Sequence, residues 1–499
     1  MFGKTVYNRA KLPITVITDD MAAAIDHWIN LYYNRAPWLT NNSLSLGLPS
    51  AIAREIATLV TLEAKINITA APEATAEGEE QKEPGMNPRA EFIAETFKPL
   101  LAQLPIRTEY ACAFGGIAFK PYTDNGKIAI DCVNADNFYP TTFNSRGEIT
   151  GAIFIEKKKS GNDTFIRAEH HEMVDNTITI TNRAYRSFSD SDLGTEIDLA
   201  QVDEWADIAP EVTIQNAESP LFAYFKIPQG NVVDVDSQLG VSVYARAERA
   251  GVLEEADKQW QRLSWEYEGG EMAIDASSDT FKMKDGLPVL PAGKERLFRT
   301  NELDSNSGTK GIFETFNPSL RDESYANGLN KVLMRVEDLC GIARGTYSDP
   351  NAEVRTATEL KVSKQRTYAT ISSIQMSLQD ALEKLAKACD TIATLYELAP
   401  AGNYVMSFAW DDSILIDAEA ERERDRQDVR DGFMNKWEYR CKWFGETPEK
   451  AKQMLSEMNE SEGFSEEELF GFMNEPGSKK KKQEPEKNNA GDDDSGSKE

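Results

Sequence analysis

Three features of this chain have residue types that could do chemistry: a glycine–lysine pair, a His–His pair between glutamates, and paired carboxylates. A phosphate cradle requires G-x-x-x-x-G-K-[ST], in which the turn's N–H groups wrap the phosphates, the lysine reaches them and the hydroxyl holds magnesium. Gly286 to Gly293-Lys294 has six intervening residues instead of four, with Glu295 in the hydroxyl position. It forms no such cradle. The histidines are His27, His170 and His171. Neighbouring side chains on a strand point to opposite faces, so Glu169-His170-His171-Glu172 reads as solvated strand polarity and not as a metal cage. Serine hydrolysis would need a G-x-S-x-G elbow, which the chain lacks. Asp411-Asp412 has the chemistry to hold magnesium, but in a chain with 83 acidic residues such a pair is expected by accident. Cys112, Cys132, Cys340, Cys389 and Cys441 are far apart and form no C-x-x-C. That spacing excludes a disulfide framework or a cysteine-rich zinc site and points to a reducing compartment.

The elements that would position these residues can be read from periodicity. Asp19-Asp20 opens a helix through MAAAIDHWINLYY, and Leu48-Pro49 opens a second with Ile52, Ile56, Leu59, Val60 and Ile66 at helical spacing. Residues 71 to 88 are too rich in Pro, Gly and Glu to pack and read as a loop. A helix over about 89 to 113 runs into Gly115-Gly116, and from there to about 235 short β-rich runs alternate with turn signals. Two amphipathic helices follow, 242 to 268 with Trp260 and Leu263 on its stripe, and 319 to 342 with Leu329 and Val336. β-like pieces at 271 to 276, 295 to 300 and 311 to 316 lie between them. Gly345 and Asp349-Pro350 forbid a continuous helix through 343 to 355, which predicts an irregular, mobile loop. Thr356-x-x-Glu359 then caps a helical pattern reaching 398, roughly 60 Å long at 1.5 Å per residue. YVMSFAW and ILID read as a strand pair, helix starts stand at Thr447-Pro448 and Ser465, and the tail reads as disordered. The fold class expected is α+β.

At roughly 100 to 200 residues per domain, 499 residues suggest two to four domains. The 83 acidic and 55 basic residues leave a formal charge of −28, which argues against binding nucleic acid by wholesale phosphate neutralisation. It does not exclude a protein that DNA slides past. No stretch approaches the ~18 apolar residues of a membrane span, and the N-terminus has no signal-peptide pattern, so no membrane partner is expected.

Several local sequences are more specific than the order of elements. GIFETFNPSLRDESYANGLNKVLMRVEDLCGIARGTYSD (311 to 349), followed by VRTATELKVSKQRTYATISSIQ (354 to 375), resembles the portal protein of tailed double-stranded DNA bacteriophages, of the siphophage type from Gram-positive hosts. YACAFGGIAFKPY (110 to 122), DCVNADNFYP (131 to 140), ITNRAYRS (180 to 187) and SPLFAYFKIPQGN (219 to 231) support it, so the likeness runs from about 20 to 460.

This resemblance implies a ring without enzymatic activity or cofactor, typically of twelve subunits, at one capsid vertex of the virion and assembled in the host cytoplasm. Double-stranded DNA would be packaged and ejected through it. Its partners would be the terminase large subunit, a head-completion or tail adaptor protein, and the major capsid and scaffold proteins. By segment, 1 to 235 and 401 to 418 would be wing, 236 to 270 and 317 to 342 stem, and 271 to 316 clip. The segment 343 to 355 would be the tunnel loop, 356 to 400 a long kinked helix, 419 to 475 crown and 476 to 499 a charged tail. The implied tunnel-loop residues are Arg344, Tyr347, Asp349, Asn351, Glu353 and Arg355, and the implied motor-docking residues are Lys282, Lys284, Asp285, Lys294, Glu295 and Arg296. Trp260, Leu263, Leu329 and Val336 would pack the stem and subunit contacts. The rival readings are a packaging terminase, against which the missing phosphate loop speaks, and a minor capsid or scaffold protein that forms no ring.

Overall fold

The computed structural model describes residues 12–460, except 14, 42, 63, 72–86, 190–191, 278–280, 285–286, 291–296, 302–312, 350–356, 411–417 and 445–446. The architecture is mixed α+β. It divides into one large unit, Met1–Leu415, and a smaller C-terminal one, Ile416–Glu499.

In the large unit, helix α1 (Asp19–Tyr32) starts where the Thr18 hydroxyl accepts the Met21 N–H, with Asp19 and Asp20 at its positive end. It buries Met21, Ile25, Trp28 and Leu31, one side chain per turn. Each such burial contributes about 1.5–3 kcal/mol before ordering entropy is subtracted. Helix α2 (Leu48–Thr61) buries Ile52, Ile56 and Val60 in the same way and leads to strand β1 (Lys65–Ala70). Helix α3 (Pro88–Phe114) is capped by the Asn87 side chain and ends at Gly115. Gly115 has φ +92°, and a Cβ there would lie 2.5 Å from the Gly240 carbonyl oxygen, so only glycine fits.

Strands β2 (Gly116–Asp124) and β3 (Lys127–Asn134) form a hairpin over Asn125-Gly126, both at positive φ as that turn requires. Next come β4 (Phe138–Phe143), β5 (Ile149–Ser160), β6 (Asp163–Val174), β7 (Thr177–Ser187), β8 (Thr195–Ile197), β9 (Glu211–Ile214) and β10 (Ala223–Lys226). They make two antiparallel sheets, one ordered β10-β2-β3 and one ordered β4-β5-β6-β7-β8 with β9 also on β7. Both sheets and helices α1 to α3 share one apolar core.

The expected helix over 242 to 268 is two helices, α4 (Ala245–Arg249) and α5 (Val252–Gly269). Gly251 at φ +71° breaks it and leaves Ala250 exposed. Strands β11 (Ala273–Ser277), β12 (Lys282–Lys284), β13 (Leu287–Val289), β14 (Phe298–Asn301) and β15 (Phe313–Phe316) then form a sheet β14-β11-β15 and a separate hairpin β12-β13. Helix α6 (Asp322–Cys340) returns along α5: Arg321 at its start binds Glu266 near the end of α5 through two guanidinium nitrogens, at 3.1 and 2.7 Å. The pair is therefore antiparallel, with the β module at its outer end. Helix α7 (Ala357–Leu395) is 39 residues long, about 58 Å at 1.5 Å per residue. It buries Ile371, Ile374, Leu378, Leu382, Leu385 and Cys389 in the shared core.

Of the expected strand pair, ILID lies outside the described residues, and YVMSFAW contains strand β16 (Tyr404–Ala409). It pairs antiparallel with β1, Lys65 opposite Ala409 and Ala70 opposite Tyr404. The C-terminal unit contains α8 (Ala418–Arg430), α9 (Lys436–Phe444) and α10 (Pro448–Glu460). In it, Arg422 and Arg426 donate to the Tyr439 hydroxyl and the Trp443 indole donates to Asp425. Among the described residues no helix is long and apolar enough to cross a membrane.

Candidate functional site

Helix α6 presents Leu329, Val336, Glu337 and Cys340 to the interior, a stripe at i, i+7, i+8 and i+11. Its unusual member is Glu337, which is 0% exposed. A buried carboxyl group must find donors, and Glu337 finds them in the chain that follows its own helix. Oε1 accepts the N–H of Tyr347 at 2.6 Å, of Ser348 at 2.9 Å and of Gly345 at 3.2 Å. Oε2 accepts the Ser348 hydroxyl at 2.7 Å. Gly345 sits at φ +94°, the backbone shape that turns its N–H toward the carboxyl group.

Asp338, the next residue, faces the other way and binds two arginines. Arg344 reaches it with Nε at 3.0 Å and Nη2 at 2.8 Å, and Arg366 on α7 with Nη1 at 2.7 Å. These hydrogen bonds, that of Arg344 first, hold the Asp338 carboxyl below its usual range despite partial burial. Gly341 ends α6 at φ +72°, and its carbonyl accepts the Thr370 hydroxyl of α7 at 3.2 Å. The Asp349 N–H donates to Asn330 Oδ1 at 2.6 Å.

Over 343–349 the chain is irregular, as expected, and its backbone is fastened to Glu337 and Asn330. The missed signal is a glutamate inside an otherwise apolar stripe. Arg344 and Asp349 are exposed, but Arg344 is committed to Asp338. Tyr347 is half-buried, and burial, reinforced by Glu55, pushes its phenol up. Asn351, Glu353 and Arg355 lie outside the described residues.

Leu263 and Leu329 are buried, Val336 completely, and Trp260 partly. Val336 belongs to the main core; Leu263 and Leu329 lie outside it, in the outer part of the α5–α6 pair. At that outer end Trp265, Tyr267, Met272, Phe316 and Leu320 remain exposed, Trp265 at 64%. Tyr267, one turn beyond Leu263, is therefore on the surface. Lys282 and Lys284 are exposed on β12. Asp285, Lys294, Glu295 and Arg296, and with them the Gly-Lys pair, lie outside the described residues.

The histidine cluster is not solvated. Glu169 accepts from Lys120 at 2.6 Å, Arg167 at 2.9 Å and His171 at 2.7 Å, all of them less than 15% exposed. Lys120 stands on β2 and Glu169 on β6, so this ion cluster joins the two sheets. His170 lies 3.3 Å from the Thr141 hydroxyl and is also buried. Among the described residues no group of three His, Cys, Asp or Glu is placed to hold a metal ion. The thiols are free, and burial pushes Cys132 up to about 11 and Cys340 to about 12, the reverse of an activated nucleophile. A cleft of about 590 Å³ between the β4–β5 turn, β10 and α7 has mixed charges in its wall, Lys384 bridging Glu148 and Asp380. No protein-family model matches the chain, and no curated protein matches it.

Proposed function

We propose that this chain is a phage portal protein, the head–tail connector through which double-stranded DNA enters and leaves a capsid. The observation that carries the reading is the run from 311 to 375, whose sequence resembles that family. The same run contains the second helix of an antiparallel pair, a turn and the first half of a 39-residue helix. The first helix of the pair and all but the last strand of a small β module precede it. In this reading α5 and α6 are the stem, 271–316 the clip, the turn after α6 the start of the tunnel loop, and α7 the long helix beneath the wing. β16 belongs with the wing because it pairs with β1, and α8 to α10 form the crown.

Three physical features support it. Twelve copies at −28 each carry 336 formal negative charges, and an acidic wall repels phosphates, which lets DNA move without sticking. Exposed aromatic and aliphatic side chains at the outer end of the stem are surface that a cyclic neighbour can cover. Lys282 and Lys284 in the clip suit a reversible, salt-sensitive contact with the packaging motor and later the adaptor. Electron microscopy of the purified chain tests the reading by the presence of rings, and ATP added to it should not be hydrolysed.

A further inference from the structure

We infer that Glu337 and Asp338 form a joint that makes the end of α6, the turn 343–349 and the N-terminal half of α7 one mechanical piece. A displacement of α6 is then passed on to α7 instead of being absorbed in the turn. The joint stands on the geometry alone; its role in DNA packaging rests on the portal reading above.

Three fastenings of different chemistry converge within a few residues. Glu337 holds the turn by its backbone, using both carboxyl oxygens on Gly345, Tyr347 and Ser348. Asp338 takes Arg344 from that turn and Arg366 from α7 on the same carboxyl group. Thr370 of α7 bonds the last α6 carbonyl region at Gly341, and a Cβ at Gly341 would lie 2.6 Å from the Thr370 hydroxyl, so the two helices approach closely there. A residue that only capped α6 would need the first fastening and not the other two. Buried, charge-assisted hydrogen bonds fix direction as well as distance, so a turn held by three N–H groups on one side chain cannot rotate independently of it. Packed elements joined in this way move together or not at all.

The test is amide hydrogen exchange on the full-length protein and on Glu337→Leu, Glu337→Gln and Asp338→Asn. Glu337→Leu should speed exchange at 345–348 by about tenfold or more, the ratio corresponding to 1.4 kcal/mol of local stability. Exchange over 366–375 of α7 should speed as well. Glu337→Gln keeps one acceptor oxygen and serves as the variant that folds if the leucine does not; its effect should be smaller and in the same places. Asp338→Asn should leave 345–348 protected while 366–375 loosens. Wild-type exchange at 345–348 in both Glu337 variants overturns the joint, as does an effect confined to the turn in all variants. In packaging assays with rings verified by microscopy, Glu337→Gln and Asp338→Asn should slow DNA entry, and wild-type rates would overturn the transmission. Failure of the unaltered chain to form rings would contradict the portal reading and leave the exchange result to decide the joint.

Discussion

His170 and His171 are neighbours on β6, yet each is buried against different groups. His171 donates to Glu169 at 2.7 Å, whereas His170 lies 3.3 Å from the Thr141 hydroxyl. Burial, with His171 beside it, lowers His170 from 6.5 to about 4. The folded protein therefore refuses a proton that the unfolded chain takes up below pH 6.5. Stability from this residue is complete above pH 6.5 and is lost as pH falls toward 4. Glu169 acts lower: burial opposes its charge, but Lys120, His171 and Arg167 hold its carboxyl well below 4.5, so its contribution disappears only below that value. Melting temperature measured against pH should thus begin to fall near pH 6.5, and His170→Asn should flatten the curve between 6.5 and 4.5. Parallel curves for the two proteins would show that His170 does not set this slope. Strand alternation correctly puts the two histidines on opposite faces, but it says nothing about what covers each face. Both faces of β6 are covered, which depends on elements far away in the chain.

The antiparallel pair α5–α6 shows what a helical element owes to local pattern and what it does not. The stripe through Leu329 and Val336 is legible because each residue falls one or two turns from the last, and the structure buries both. The break at Gly251 is not legible, since Ala247, Ala250 and Leu253 follow one another at intervals of three residues across it. The partner of β16 is equally hidden, because β1 lies more than 300 residues earlier and no local period encodes that pairing. Val336→Asp would bury an unpaired charge and destabilise each chain by about 3–5 kcal/mol, which thermal or urea unfolding measures directly. Trp265→Glu, on the exposed side, should change chain stability by less than about 0.5 kcal/mol yet prevent ring assembly, as read by sedimentation. Full rings from the Trp265 variant would remove that side chain from the subunit contact. The loop following α6 yields a separate expectation. Asp349→Lys with Glu353→Lys adds four positive units per subunit and should leave rings intact while slowing packaging or trapping DNA part-way. An unaltered packaging rate would place this loop away from the DNA path.

At the scale of the whole molecule, the charge excess and the exposed outer end of the α5–α6 pair bear on the same question. A chain of −28 repels its own copies at long range, so the proposed ring would have to be held by short-range burial of surfaces such as those around Trp265, Tyr267 and Leu320. Salt near physiological strength shortens the repulsion to roughly 8 Å and should favour assembly over low-salt buffer. The order of helix, β module, helix, turn and long helix is legible in periodicity and in the run at 311 to 375. The fastening of the turn by Glu337 was not, because it depends on one polar residue turning inward. The most direct measurement is negative-stain imaging of the purified full-length chain near physiological salt. The portal account predicts closed rings with an axial channel; particles of a single chain at every concentration examined would contradict it.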